Sequence, residues 1–312
     1  MPWVVGIDEA GYGPNLGPLV QAAVAIHLPE NDLSGWSTLQ AVVRRSSEPA
    51  DGRLLIDDSK KIYTRGGLAA LERGLWPLLG NHARRLDHFL WGHNAVPDWG
   101  EDLCREYWFN GAEAVPLTVD PHCQRTDGVV VRAAIGERCQ NAVRIVPAPR
   151  FNQIVDETGS KAAVLIRGLV DLMTSLIQSL PPGEPVVFDC DKLGGRNYYA
   201  GLVQDAFPAG WVIAQQESAD ASRYRVELLD RPVQVVFRPR ADAESLAVAL
   251  ASMLSKYLRE VCMSQFNRFW ARQVPGIQPT AGYPVDARRF LSQIQQAMAP
   301  LGLHVDAVWR KK

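Results

Sequence analysis

The sequence predicts an α/β fold, a sheet with helices on its faces, and three observations point there. Residues 3–8 and 185–188 are short apolar runs with the length and composition of buried strands. Apolar side chains recur at helical spacing over 65–79, 160–180 and 241–270. Strand-like and helix-like segments alternate along the chain instead of grouping, as they do where helices cover a sheet.

In chain order, residues 3–8 read as the first strand, and 19–28, rich in Val, Ala and Ile, as its hairpin partner. Pro, Ser, Gly and charged residues make 29–56 a surface excursion, with room for a short helix. Leu68, Leu71, Leu75 and Leu78 lie on one helical face, and Gly80 stops that helix. The aromatic, proline-bearing stretch 82–140 resists assignment. A short strand is expected at 143–146 and a helix at 160–180, ended by Pro181-Pro182-Gly183. The strand 185–188 delivers Asp189 at its end. A helix over 198–207 and strands at 211–214, 224–229 and 233–237 follow. The longest helix is expected from Ala241 to about Trp270, and a last one over about 286–298, after a Pro/Gly-rich stretch.

The 312 residues, 47% hydrophobic and 21% charged, can bury a sizeable core and exclude a disordered or fibrous chain. No uninterrupted apolar run approaches the roughly 18 residues of a membrane span. There is no basic leader before an apolar segment, and the five scattered cysteines suggest no disulfide framework. A cytoplasmic monomer with reduced thiols, not attached to a membrane, is the expectation. A net charge of −1 argues against a broad non-specific nucleic-acid footprint, so phosphate contacts would come from local clusters.

Chemistry is concentrated at the N-terminus. The first strand runs into Asp8-Glu9-Ala10-Gly11-Tyr12-Gly13-Pro14, with Gly17-Pro18 beyond. Adjacent carboxylates at the end of a buried strand cost several kcal/mol in desolvation unless paired or metal-bound. Glycines beside them let backbone approach a ligand. Asp189 closes a second strand, and carboxylates at neighbouring strand ends converge on one edge of a sheet. Hard cations such as Mg²⁺ take such oxygen ligands. Asp189-Cys190-Asp191 also reads as the start of a turn, with Asp191 as a rival ligand. Asp242 stands where the longest helix begins and reads equally as an N-cap. Below it Ser245, Ser252 and Lys256 fall on one side of the helix, opposite an apolar stripe, facing either a phosphate-bearing groove or solvent.

These segments resemble the type 2 ribonucleases H. The first motif is similar over Gly6–Pro18, and Asp58-Ser59-Lys60-Lys61 looks like the family's Asp-Ser-Lys-Lys motif. Asp242-Ala243-Glu244-Ser245 through Ser252, Lys256 and Arg259-Glu260 is similar to its helix motif, and Gly282-Tyr283-Pro284 to its Gly-Tyr-Pro motif. The resemblance implies a single ribonuclease H-like domain over 1–312, a mixed β-sheet flanked by helices with a C-terminal helical segment over about 275–312. It implies an endonuclease that hydrolyses RNA hybridised to, or embedded in, duplex DNA, leaving 3′-hydroxyl and 5′-phosphate ends. Asp8, Glu9, Asp189 and Asp242 would hold two Mg²⁺ or Mn²⁺ ions. Gly11, Tyr12 and Gly13 would meet the ribose 2′-hydroxyl, the group that distinguishes RNA. Lys60 and Lys256 would contact phosphate, and Tyr283 would pack on the sugar at the RNA–DNA junction.

The chain departs from the pattern at Tyr12, where the family has Arg and a bidentate phosphate contact. Val285 replaces a Thr, and Arg288 stands near an expected His. The extra length is placed at 29–56, 82–140 and 196–238. The second of these carries His82, His88, His93, His122, Cys104, Cys123 and Cys139, without the spacing of a zinc motif. The third carries Arg223, Arg225, Arg231, Arg238 and Arg240, which would extend a nucleic-acid groove if they shared a strand face. Three alternatives stay open: a nuclease of this fold acting on branched DNA or structured RNA, a non-catalytic nucleic-acid-binding module, and a metal-dependent nucleotide-sugar transferase built on Asp189-Cys190-Asp191.

Overall fold

A computed structural model describes residues 1–79, 83–91, 97–119, 139–227 and 229–311. The strands are β1 (Trp3–Ala10), β2 (Leu19–His27), β3 (Val43–Arg44), β4 (Leu54–Leu55), β5 (Cys139–Val146), β6 (Val186–Asp191), β7 (Trp211–Glu217), β8 (Ser222–Glu227) and β9 (Val233–Arg238). The helices are α1 (Ser59–Leu79), α2 (Leu86–Trp91), α3 (Asp98–Cys104), α4 (Ala148–Thr158), α5 (Lys161–Ser179), α6 (Ala200–Ala206), α7 (Ala241–Glu244), α8 (Leu246–Gln273) and α9 (Pro284–Met298).

Seven strands form one mixed sheet in the order β5-β2-β1-β6-β9-β8-β7. β1 is antiparallel to β2 and parallel to β6, which is parallel to β9. This is the expected mixed sheet flanked by helices. Side-chain alternation along β1 divides the molecule into two layers. Trp3, Val5 and Ile7 enter a core with Leu169, Leu172 and Met173 of α5 and Phe188 and Cys190 of β6. Val4 points the other way, into a core with α1 and α8.

Helix α8 is buried nearly all round over its first half, as suits a helix laid across a sheet. Each of Leu250, Leu254 and Leu258, fully buried, contributes about 1.5–3 kcal/mol by leaving water. Its seat on β1 requires Gly6, since a Cβ there would lie 2.1 Å from the Ala247 carbonyl carbon and the Val248 nitrogen. Helix α5 is long and apolar enough to cross a membrane by length and composition, yet its Val164, Leu165, Leu169, Leu172 and Met173 are buried inside the fold.

Four local outcomes differ from the sequence expectation. Strand β6 continues to Asp191, because Cys190 follows Phe188 into the α5 core and keeps the alternation going. The expected long helix is broken at Ser245, whose backbone is extended (φ −123°, ψ 126°) and whose hydroxyl accepts from the Val248 N–H. The expected helix start is instead the short α7, so Asp242 lies inside a helical turn and is not its N-cap. Helix α4 fills a stretch left unassigned, while 29–56 carries only the β3–β4 pair and turns.

Candidate active site

Asp8 and Asp191 come to the α8 side where β1 and β6 run out, while Glu9, paired with Gln21 across the sheet, alternates toward α5. The parallel register sets Gly6 beside Asp189 and Ile7 beside Cys190, and one further step brings Asp8 to Asp191. Ile7 and Cys190 both enter the α5 core, so Asp8 and Asp191 point to the α8 side. There the Ser252 hydroxyl of α8 faces Asp8 and draws its raised pKa back. Ser252 lies 3.0 Å from the Ser59 hydroxyl at the start of α1, which carries the Asp58–Lys61 motif to the site.

Charge is crowded here. Burial, then the neighbouring Glu9, pushes the Asp8 carboxyl well above the ordinary range, and Asp191 adds to it. Burial and Asp191 raise Glu9, while Lys60 draws it back. Burial, Asp58 and Asp191 raise Asp242, against a hydrogen bond from the Ala243 N–H and the charge of Lys61. Asp191 is thus the neighbour shared by Asp8, Glu9 and Asp242. Its own carboxylate receives a hydrogen bond of 3.4 Å from the Ala241 N–H. The short α7 therefore sits directly over the end of β6.

Asp189, the residue singled out from the sequence, is differently placed. It stands two residues back from the strand end and is held in a bidentate pair by Arg238, with Nε to Oδ1 at 2.9 Å. Burial raises its carboxyl, and Arg238, the Ser245 hydroxyl and Arg223 oppose that rise. Its charge is already matched, and Asp8 and Glu9 are raised by Asp191. The geometric reason is the two extra residues of β6.

The glycine loop packs against this cluster. Gly11 adopts φ 93°, and a Cβ there would lie 2.7 Å from both the Arg259 guanidinium and the Pro18 carbonyl oxygen. Arg259, buried within α8, donates to the carbonyls of Pro18, Leu16 and Ala281. The Asn15 N–H donates to the Gly282 carbonyl at 2.8 Å. These bonds carry Tyr283 to the loop, its ring 4.0 Å from where a Gly13 Cβ would stand, and leave it 56% exposed. Tyr12 lies under the Lys161 ammonium, 4.3 Å from the ring centre. Lys60 faces Glu9, but Lys256 does not reach the carboxylates: it pairs with Glu260 at 2.5 Å and lies over Tyr63. Ser245 and Ser252 are buried, so the polar side of α8 faces the sheet and not solvent.

Among the described residues no group of three or more His, Cys, Asp or Glu side chains is arranged to hold a metal ion. Of the histidines and cysteines considered for zinc, His88, Cys104 and Cys139 fall in the described residues; His82, His93, His122 and Cys123 lie outside them. One surface cleft lies against Trp108 and Arg150 and another against Arg53 and Pro77, and neither is lined by the carboxylates. Arg238, named from the sequence only within a basic run, is the ion-pair partner of Asp189, and Arg310 was passed over. The Arg310 guanidinium is buried behind the loop and donates to the Gly11 carbonyl at 2.6 Å and to the Pro14 carbonyl. No spacing pattern marked either role.

No protein-family model matches the chain, and no curated protein matches it. Among solved structures it is similar to a chain of the PCNA:RNase HII complex from Archaeoglobus fulgidus, at 14% identity and a TM-score of 0.42, over 99% of this chain and 94% of that one. It is similar to ribonuclease H2 from Pyrococcus horikoshii OT3 at 15% identity and a TM-score of 0.45, over 98% and 92%. It is also similar to Bst-RNase HIII in complex with Mn²⁺, at 15% identity and a TM-score of 0.46, over 99% and 66%.

Proposed function

We propose that this chain is a divergent type 2 ribonuclease H, an endonuclease that hydrolyses a phosphodiester of RNA paired with, or embedded in, duplex DNA. The observation that supports the reading is that Asp191 lies near Asp8, Glu9 and Asp242, acids from three distant segments, with Lys60 near Glu9 and Lys61 near Asp242. Unpaired like charges at the edge of a buried sheet are unfavourable alone and suit a hard cation. The donor set is all oxygen, which fits Mg²⁺ or Mn²⁺, and attraction to the ion would draw together carboxylates that now repel. A bound divalent ion supplies charge stabilisation at the phosphoryl oxygen and a nucleophilic water near neutral pH.

In this reading Asp191, not Asp189, is the third metal-binding carboxylate. Asp189 acts one step away by fixing Arg238 against the end of β9. Ser252 orients Asp8, and Lys60 offsets charge beside Glu9. Gly11, Tyr12 and Gly13 present backbone to the ribose, and exposed Tyr283 is placed to pack on a sugar or base next to it. The Lys161 ammonium on Tyr12 supplies a cation beside the loop. Lys256, held by Glu260, takes no part in phosphate contact.

The test is cleavage of a duplex with one embedded ribonucleotide, of a full RNA–DNA hybrid and of branched DNA, with Mg²⁺, with Mn²⁺ and with chelator. Metal-dependent cutting at the ribonucleotide, abolished by Asp8→Asn, is expected. Absence of cutting with either metal, or cutting that survives Asp8→Asn, would remove the proposal.

A further inference from the structure

Strands β9, β8 and β7 extend the sheet beyond the carboxylates, and over β8 one face is buried and the other exposed. Tyr224, Val226, Val235 and Phe237 enter the α5–α6 core. The opposite face, the one that carries Asp8 and Asp191, is exposed at Arg223, Arg225 and Gln234, with Val236 buried among them. The register pairs Arg223 with Val236, Arg225 with Gln234, and Asp191 with Arg238. Arg238, Arg223 and Arg225 therefore share this face, as diagonal and same-strand neighbours about 7 Å apart. At the far end Trp211 opens β7 and is 64% exposed. Arg231 is not part of the row, since it is buried and donates to the Leu180 and Pro181 carbonyls.

Two carboxylates compensate part of this charge. Asp189 holds Arg238, and Glu227 pairs with Arg225 at 2.5 Å. The Arg223 guanidinium faces Asp189 from a distance, and its side chain makes no hydrogen bond or ion pair among the described residues. The row starts beside Asp191 and ends on an indole, so a strand lying along it would leave the carboxylate site directly.

We infer that this face binds a single-stranded segment of nucleic acid flanking the cleaved bond, with phosphates along Arg223 and Arg225 and an unpaired base on Trp211. A duplex keeps its bases stacked inside and offers none to the indole, whereas aromatic platforms in basic grooves take single strands without sequence preference. The inference rests on the proposed nuclease only for where the strand begins.

The experiment measures anisotropy of labelled oligothymidylate and oligouridylate, and of a blunt DNA duplex, on Asp8→Asn protein so that nothing is cut. Trp211→Ala, in which an exposed ring is lost, should weaken single-strand binding about tenfold, as for one stacked base. Arg223→Ala with Arg225→Ala should weaken it similarly and make log K less steep in log salt by about 1.4, two phosphate contacts at 0.7 each. Blunt-duplex affinity should stay as in the parent. Single-strand binding unchanged in both variants, or equal loss for the duplex, overturns the inference. If single-strand binding behaves as stated but no substrate is ever cut, the surface stands and the nuclease proposal falls. If cutting is normal and the variants bind like the parent, the surface alone falls.

Discussion

Asp189→Asn and Asp191→Asn remove the same charge from the same strand, two residues apart, and should do opposite things. Asp189 is 7% exposed and its partner Arg238 28% exposed. Removing one member of a well-buried ion pair costs about 3–5 kcal/mol, mostly for the charge left behind. Arg238 keeps partial access to water, and Asn retains one carbonyl acceptor for it, so about 2 kcal/mol is the expected loss. At about 2–4 °C per kcal/mol for 150–250 residues, falling with size, this chain should lose about 4 °C in unfolding midpoint. Asp191→Asn instead removes a like charge that raises Asp8, Glu9 and Asp242, so its metal-free midpoint should hold or rise. Its cleavage rate should drop by about 10²-fold or more, the scale of losing one charge-stabilising group in a preorganised site. Thermal unfolding with chelator and single-turnover cleavage of a ribonucleotide-bearing duplex measure the two effects. An Asp189→Asn protein that folds normally but cannot cut, beside an active Asp191→Asn protein, would refute the assignment and restore the residue the sequence singled out.

Asp8→Asn should abolish cleavage and raise metal-free stability at pH 7. Because the folded carboxyl is raised above its unfolded value by burial and Glu9, wild type loses stability as pH climbs through that raised range. The two proteins should converge in urea titrations at acid pH and separate above it; a constant gap at all pH values would contradict this. Tyr283→Ala, at an exposed ring, should shift stability by no more than about 0.5 kcal/mol and act on KM for a ribonucleotide-bearing duplex. A change confined to kcat would place the ring elsewhere. Arg310→Ala should cost about 2 kcal/mol, since it leaves the Gly11 and Pro14 carbonyls without their buried donor, and chemical denaturation reads it directly.

The sheet was legible because its signals are local. β1, β2 and the core of β6 are apolar runs bounded by charge or glycine, and α5 has an unbroken helical pattern ended by two prolines. The end of β6 was not. Asp-Cys-Asp carries two turn-favouring residues, and only the partners of Cys190 in the α5 core show that the strand continues through it. The break at Ser245 was hidden for a related reason. Its flanks Ala241–Glu244 and Leu246–Gln273 are both helical, and the interruption follows from the Leu246 N–H donating to the Ser34 carbonyl. Asp8, Glu9 and Asp242 could be named as acids at element ends, but which acid of β6 lay beside them depended on register between strands more than 180 residues apart.

The glycine loop shows the same dependence on distant partners from its inner side. Its carbonyls at Gly11, Pro14, Leu16 and Pro18 turn inward, and each receives a guanidinium N–H from Arg259 or Arg310. A buried arginine without a carboxylate partner is costly, and burial lowers the pKa of both, Arg310 further because Arg259 is near. What offsets that cost is the number of carbonyls satisfied, which would otherwise be buried without donors. Gly11 lacks a Cβ where Arg259 passes, so the glycine and the arginine require one another. Helix α8 and the C-terminal residues, which pair Trp309 with Leu16 and Lys311 with Asp156, thus hold the loop from behind while Gly13 and Tyr283 stay exposed in front. A loop braced in this way can meet a ligand without reorganising, which is what differential binding at a cleaved bond demands.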